Sequence, residues 1–281
     1  EELSRMNESD LFGRRYRVRV TAAEGGLGNE LDVSELRCAF KITKTIKPEP
    51  NACELRIWNL SRDSAAKLSS AKRLTANVAA GYEVSGVHTL FVGGVGSAHT
   101  IVDGADAVTE IAAHDGAEAK GKNARAGVPK AASATSVLES LAKAMGLKVG
   151  PLPPRLSEQR FPVSTTFSGN AADLLTDICV SFNLEWSIQN ETLLLLPRGK
   201  ASEATAVVLS PDTGLIGSPS VDGKGVVQAK ALIMPGLEPG RLVRIASRYL
   251  KGDFRVEKVE FTGDTHGSDW YAEIEAKAQK P

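Results

Sequence analysis

Seven residues of this sequence are of the types that most often bind metals or act as nucleophiles. They are His88, His99, His114, His266, Cys38, Cys53 and Cys179. No two of them lie in a His-x-x-x-His or Cys-x-x-Cys spacing, which are the spacings typical of zinc sites. The sequence therefore predicts no metal site and no cofactor. The odd number of widely spaced cysteines favours a reducing compartment, or one indifferent to disulfides.

Carboxylate pairs are the other residues that could do chemistry, because two carboxyl groups flank the bond that a glycosidase cleaves. Glu257 with Glu260, and Glu273 with Glu275, are the pairs at short spacing. Since residues two apart on a strand share a face, we interpret Glu273 and Glu275 as a solvated face opposite Trp270. A Gly-x-Ser-x-Gly elbow and a phosphate-binding glycine loop are also absent from the sequence. The sequence predicts that the protein is not an enzyme.

Length and composition limit the possible classes of protein. The chain has 281 residues, 34 basic and 34 acidic side chains, and a hydrophobic fraction of 42%. This length indicates two or three domains, and this composition is typical of folded domains rather than disordered ones. A net charge of zero gives no electrostatic argument for nucleic acid or a membrane as a bulk partner. No apolar run approaches 18 residues, so we expect no membrane-spanning segment.

The elements that would position any site are mostly strands. Apolar residues alternate with polar ones in both outer parts of the chain, which predicts short antiparallel strands closed as a barrel or a sandwich. The predicted fold class is mainly β with an α+β insertion, in which two similar antiparallel β-barrel domains flank a small α/β module. The predicted segments are a flexible arm (1–13), a first barrel (14–116), a connector (117–134), the module (135–200) and a second barrel (201–281).

Helix signals define the module. A capping box of Ser136 and Glu139 predicts the start of one helix, and Gly146 predicts its left-handed end. Asn170 is expected to cap a second helix that runs to Phe182.

The two outer parts of the chain resemble each other in sequence. Phe91–Val95 is similar to Phe254–Val259 with one gap, and Gly104–Ile111 matches Gly267–Ile274 in register. Each copy is predicted to be a strand, a turn carrying Gly-x-Asp, and a second strand. A duplication would give the order barrel, α/β insertion, barrel.

Four residues are candidates for an interface or a lumen. Arg15, Arg17 and Arg19 share one face of a strand, where their repulsion falls if acidic residues lie opposite them. They are interpreted as a solvated face, as a contact with a partner subunit, or as the lining of a pore through which nucleic acid passes. Trp58 lies on the polar face of its own strand, and it is either an exposed anchor in a protein interface or packed under the helix that follows.

Several stretches resemble the baseplate hub proteins of contractile-tailed phages and related tail-like injection systems. They are Phe40–Lys44, Pro50–Ser61, Leu237–Val256 and Gly263–Trp270. The resemblance implies a structural virion protein that forms a homotrimeric ring around the tail lumen. Such a ring adapts a six-fold tail tube to a three-fold central spike.

The resemblance also implies partners and a location. The expected partners are two further copies of the chain, the tail tube protein, the central spike protein and other baseplate proteins, with DNA only in transit. The expected location is the virion tail baseplate, with assembly in the host cytoplasm. Two alternatives remain open, a tail-associated cell-wall hydrolase and a carbohydrate- or nucleic-acid-binding barrel protein. The second needs exposed aromatic residues in series, and only 5% of the residues are aromatic.

Overall fold

The computed structural model describes residues 11–22 and 30–279, so most of the predicted arm lies outside the described residues. The described chain forms 18 strands and four α-helices, and thirteen of the strands belong to a single sheet. The predicted mainly β fold with an α+β insertion is confirmed. Leu11 is already buried in the main core, although it falls within the segment expected to be an arm.

The first half of the chain contains seven strands of the large sheet and one helix. They are β1 (Arg14–Ala22), β2 (Glu30–Asp32), β3 (Cys38–Thr45), β4 (Asn51–Trp58), α1 (Arg62–Ser70), β5 (Leu74–Tyr82), β6 (Gly86–Asp103) and β7 (Asp106–Asp115). The alternation in β1 buries Val18 and Val20 fully and places Arg15, Arg17 and Arg19 on the opposite face. Ser61 caps α1 by accepting a hydrogen bond from the Ser64 backbone N–H, as its position predicts.

The middle of the chain forms the α/β module around its own apolar core. Its elements are α2 (Ala117–Lys120), β8 (Asn123–Val128), α3 (Ala134–Met145), β9 (Lys148–Val149), β10 (Thr165–Asn170), α4 (Ala171–Ser181), β11 (Leu184–Gln189) and β12 (Thr192–Pro197). Residues 117–134, predicted as a connector, contain α2 and β8. β8 pairs with β10 and buries Val128 in the module core.

Two of the three helix signals in the module are confirmed. Gly146 ends α3 at φ +77°, and the Asn170 side chain accepts the backbone N–H groups of Ala172 and Asp173. The predicted capping box is wrong, because α3 begins at Ala134. The Ser136 hydroxyl lies inside the helix and donates to the Ser133 carbonyl instead.

The second half of the chain contains six strands of the large sheet. They are β13 (Val207–Leu209), β14 (Leu215–Val221), β15 (Val227–Leu232), β16 (Leu242–Ala246), β17 (Lys251–Asp264) and β18 (Trp270–Ala278). Their order in the sheet is β14-β15-β18-β17-β16-β13, and the first half has the order β3-β4-β7-β6-β5-β1. When β2 is left out and the six strands of each half are numbered 1 to 6 along the chain, both orders read 2-3-6-5-4-1. The halves differ at their ends, since β1 pairs antiparallel with β5 whereas β13 pairs parallel with β16, and β2 has no counterpart.

An irregularity of pairing falls at the same place in both halves. β6 skips one residue between Val95 and Ser97 as it pairs with β7, and β17 skips one residue between Val256 and Lys258 as it pairs with β18. The partners across these bulges are Ala113 and Ala112 in the first half, and Ala276 and Glu275 in the second. These partners occupy equivalent positions when the in-register match of Gly104–Ile111 with Gly267–Ile274 is extended. The similarity of the two halves therefore extends to the position of the bulge.

The two halves are joined into one sheet by β3 and β17. Seven residue pairs connect Ala39–Thr45 to Lys258–Asp264 in antiparallel register, and one hydrophobic core runs beneath both halves. Among the described residues, the strand pairing does not close either half into a complete ring of strands.

Candidate assembly surfaces

The arginine face of β1 is largely exposed, and acidic side chains pair with two of its three arginines. Arg15 lies 2.5 Å from the carboxylate of Glu83, and β2 supplies two carboxylates at 2.8 and 3.1 Å from the Arg19 guanidinium. Arg17, between them, is exposed. The face therefore presents a row of cations to solvent, with two of the three held in place by acidic partners.

Trp58 is half-buried beneath an arginine rather than fully exposed. The Arg37 guanidinium lies 4.2 Å from the centre of the Trp58 ring, within the range of a cation–π contact. The same guanidinium donates to the Asp264 carboxylate at 2.8 Å, and this hydrogen bond holds the pKa of Asp264 below its usual value. Trp58 thus lies beside the seam where the first half meets the second. The partner of Arg37, Asp264, is 227 positions further along the chain, so spacing along the sequence gave no signal for that ion pair.

Aromatic packing and a glycine bring β3 and the β17–β18 hairpin together. The rings of Phe40 and Trp270 meet edge to face with their centres 5.7 Å apart. Gly263 lies opposite Phe40, where a Cβ atom would stand only 2.3 Å from the ring. Arg14 extends over Trp270 and donates to the carbonyl of Gly267 at 2.7 Å. The seam between the halves is therefore packed from β1 to the hairpin turn.

A buried lysine also lies in this seam. The Lys44 side chain has no exposed surface, and its Nζ atom donates to Glu238 Oε2 at 2.5 Å. Glu238 itself keeps about a quarter of its side chain exposed, at 27%. The pair connects β3 of the first half to the loop between β15 and β16 of the second. Because a buried ammonium group without a counter-charge is costly, the pair fixes how the halves meet.

The α/β module is attached to the first half by a buried carboxylate. Asp115 accepts the backbone N–H groups of Asn190 at 2.5 Å and Glu191 at 2.9 Å, in the turn between β11 and β12. Asn51 adds a hydrogen bond to the Ile188 carbonyl at 2.7 Å. Burial raises the pKa of Asp115, and the hydrogen bonds from the turn oppose that rise.

An arginine performs the same role on the second half. Arg255 is almost fully buried, and its guanidinium donates to Glu185 of the module and to Glu257 of its own strand. It also donates to the Lys200 carbonyl at 3.2 Å. The module is therefore held to both halves by buried polar contacts. The sequence reasoning missed Asp115 and Arg255, and strand alternation gave no signal for either role.

The carboxylates considered as catalytic pairs are each bound to a basic side chain. Their partners are Arg255 for Glu257, Lys41 for Glu260, Lys230 for Glu273 and Lys258 for Glu275. Three of the four line an open groove of about 410 Å³ on the polar face of the second half. Glu260 and Glu273 lie directly opposite each other on β17 and β18, and their lysine partners offset the repulsion between them. These carboxylates are therefore each held in an ion pair of the sheet face.

Besides the carboxylates, metal-binding clusters, membrane-spanning helices and the state of the cysteines bear on the class of the protein. No group of three or more potential metal-binding side chains occurs among them. Within the same residues, no helix is long and apolar enough to cross a membrane. All three cysteines are buried, and burial raises the pKa of Cys38 and Cys179 to about 12, which leaves them as unreactive thiols.

Comparison with solved structures identifies the fold. A tail protein from Neisseria meningitidis MC58 is similar with a TM-score of 0.65 and 11% identity, over 94% of this chain and 97% of that one. The 43 kDa tail protein of prophage MuSo2 from Shewanella oneidensis has a TM-score of 0.64 and 11% identity, over 93% and 97% of the two chains. The E. coli c3393 protein, a type VI secretion system component described as similar to the T4 tail proteins gp27 and gp5, has a TM-score of 0.60 and 9% identity, over 87% and 74%.

Sequence comparison identifies the family. No curated protein sequence matches the chain. The family model described as baseplate hub gp41 matches residues 16–276, which is nearly the whole chain. This family consists of structural components of phage tail baseplates rather than enzymes, as the resemblance predicted. The chain therefore belongs to the baseplate hub gp41 family.

Proposed function

We propose that three copies of this chain form a ring that adapts a six-fold tail tube to a three-fold central spike. The observation that supports this proposal is the identical strand order of the two halves, together with the matching position of their bulges. Three chains with two similar halves present six similar units, so one ring can match a six-fold neighbour on one side and a three-fold neighbour on the other.

The buried contacts within each chain suit a structural role. The module is held to both halves through Asp115 and Arg255, and the halves share a core and a sheet. An adaptor between two tail components has to transmit load without its parts separating. The proposed partners are the tail tube protein, the spike protein and other baseplate proteins, with DNA passing through the lumen. We place assembly in the host cytoplasm and the mature ring in the virion tail baseplate.

The mass of the purified full-length chain in solution tests this function. Light scattering is expected to give three chain masses, and negative-stain images are expected to show rings with a central hole. The spike and tube proteins should each bind the ring on separate faces. A protein that remains a single chain at high concentration and with both partners present would refute the adaptor role.

The arginine face of β1 and Trp58 are proposed as surfaces of the assembled ring. Reversing the charge with Arg15→Glu, Arg17→Glu and Arg19→Glu is expected to slow DNA delivery if this face lines the lumen, or to prevent ring formation if it contacts a subunit. Lys67→Glu, on exposed helix α1, is a matched control for a local change of charge. Normal assembly and normal DNA delivery by the triple variant would exclude both roles.

A further inference from the structure

Two strand edges, one in each half of the chain, pair with each other and join the halves. The equivalent edges on the opposite halves have no partner strand among the described residues. Within the chain, β3 pairs with the last seven residues of β17. The counterparts of these strands are β14 and the distal part of β6, according to the strand order of the two halves. Among the described strands, β14 pairs only with β15, and β6 beyond Val95 pairs only with β7. The chain therefore contains both members of a second seam, and they do not meet within one copy.

The strand ladders fix which residues of β3 and β14 are equivalent. In each half, three neighbouring strands place three residues side by side, and the last of the three is the alanine opposite the bulge. These strands are β3, β4 and β7 in the first half and β14, β15 and β18 in the second. The first ladder runs Ile42, Cys53, Ala113, and the second runs Val221, Val227, Ala276. Val221 is thus the counterpart of Ile42.

The bulges fix the equivalence of β6 and β17. Thr100 lies three residues beyond Ser97, and Phe261 lies three residues beyond Lys258, where Ser97 and Lys258 follow the two bulges. Within the chain, Ile42 and Phe261 lie directly opposite each other, and both are almost completely buried. Their counterparts, Val221 and Thr100, are exposed.

Exposed apolar side chains are concentrated on these two free edges. Of the nine large hydrophobic side chains exposed among the described residues, Ile101 and Val102 lie on β6, and Ile216 and Val221 lie on β14. Val102 is 78% exposed and Val221 is 52% exposed, whereas Ile42 has no exposed surface. An apolar, unpaired strand edge is a template for pairing with another chain, so these edges have the character of an interface.

Neighbouring elements limit the length of the free edges. The Ser69 hydroxyl of α1 donates to the Ala98 carbonyl at 3.5 Å, so the free part of β6 begins at His99. On β14, the pairing with β15 is irregular between Ile216 and Ser220, and Pro219 in that interval has no backbone N–H to donate. The new seam is therefore expected to be shorter than the seam within the chain and to centre on Ser220 and Val221.

We propose that β14 of one copy pairs antiparallel with the distal part of β6 of the next copy, with Val221 opposite Thr100 and Ser220 opposite Ile101. A second copy of this chain is the occupant because the chain already joins the same two kinds of strand in the same way between β3 and β17. The contact is head to tail, and a head-to-tail contact closes into a ring when its rotation permits. This inference rests on the proposed ring, to which it adds the joint between subunits.

Cysteine cross-linking of the full chain tests this register. Residues directly opposite in an antiparallel pair have Cα atoms about 4.5 to 5.5 Å apart, which is within the range that a disulfide spans. Co-expression of a Thr100→Cys chain with a Val221→Cys chain is expected to give a disulfide-linked dimer on oxidation. Neither chain expressed alone should give that dimer, because a head-to-tail seam never brings two copies of one edge together. The native cysteines are buried and do not compete.

A matched control distinguishes the register from simple proximity. Replacing the second chain with Ile216→Cys keeps the same strand but moves the thiol away from Thr100, so the yield of dimer should fall at least tenfold. A trimer by light scattering without cross-linking of Thr100 to Val221 would overturn this joint and leave the adaptor function intact. A protein that shows neither association nor cross-linking would overturn both.

Discussion

The buried pair of Lys44 and Glu238 predicts an asymmetric response to substitution. In Glu238→Gln, an ammonium group with no exposed surface loses its ion-pair partner but keeps an acceptor oxygen. In Lys44→Met, the apolar stem is retained and the charge removed, while the remaining Glu238 carboxylate is 27% exposed and can be hydrated by solvent. The first change leaves a fully buried ammonium without its ion-pair partner, with only the Coulombic attraction of Asp115 remaining. The second leaves Glu238 open to solvent, and Asp115 keeps its hydrogen bonds from the turn between β11 and β12.

The expected magnitudes follow from this difference. Breaking a buried ion pair from one side costs about 3–5 kcal/mol, and the oxygen retained by glutamine returns about 1 kcal/mol. We therefore expect Glu238→Gln to lower the free energy of unfolding by about 2–4 kcal/mol. Lys44→Met conserves volume and should cost less than about 1.5 kcal/mol. The double variant should resemble Lys44→Met alone, because the unpaired charge is then gone.

Urea unfolding followed by tryptophan fluorescence measures all three variants. With a slope of about 3 kcal/mol/M for a chain of this size, Glu238→Gln should shift the midpoint by about 1 M and Lys44→Met by less than half of that. Equal shifts for the two single variants would refute the argument from burial. A double variant less stable than both single variants would also refute it.

Three further substitutions test other parts of the structure. Phe261→Ala removes a fully buried ring at the seam between the halves and should cost about 3–5 kcal/mol of unfolding free energy in urea. Asp264→Asn removes the pairing with Arg37 that lowers the carboxyl pKa. The stabilisation from this pairing is present above the unfolded pKa of about 3.8 and is lost as the pH falls through the lower folded pKa. Between pH 5 and pH 2, the melting temperature of the variant should therefore fall less than that of the parent. Asn170→Ala removes the cap of α4 and should cost about 1 kcal/mol, whereas Asn170→Ser should recover most of it.

The sequence predicted those parts of the fold that depend on local pattern. The alternation in β1 and the cap at Asn170 were predicted correctly, because each depends on residues close together in the chain. The match of Gly104–Ile111 with Gly267–Ile274 was informative for the same reason, since each copy is a single hairpin. The capping box at Ser136 failed because Ala134 and Val137 are buried in the module core, and this burial extends the helix towards its N-terminus.

The features that join the parts could not be predicted, because their partners are distant in sequence. Arg37 lies beside Trp58 because the Trp58 backbone N–H donates to the Arg37 carbonyl at the end of the β3–β4 pairing, whereas the ion pair of Arg37 with Asp264 depends on the distant second half. Residues 117–134 lack periodicity, yet β8 forms there because β10 supplies its hydrogen-bonding partner. Of the four candidate residues for an interface or a lumen, Arg15, Arg17 and Arg19 lie on one face of β1, and their role there stays a prediction.

The pairing of β3 with β17 has a consequence for synthesis on the ribosome. β3 is completed early, whereas β17 emerges only after the α/β module has been translated. Until then, β3 can pair with β4 on one side only, and its other edge, next to Phe40 and Ile42, is not covered by β17. Because long-range strand pairing is slow and leaves such edges open to aggregation, we expect production of this protein to depend on chaperones and to improve when translation is slowed by cooling.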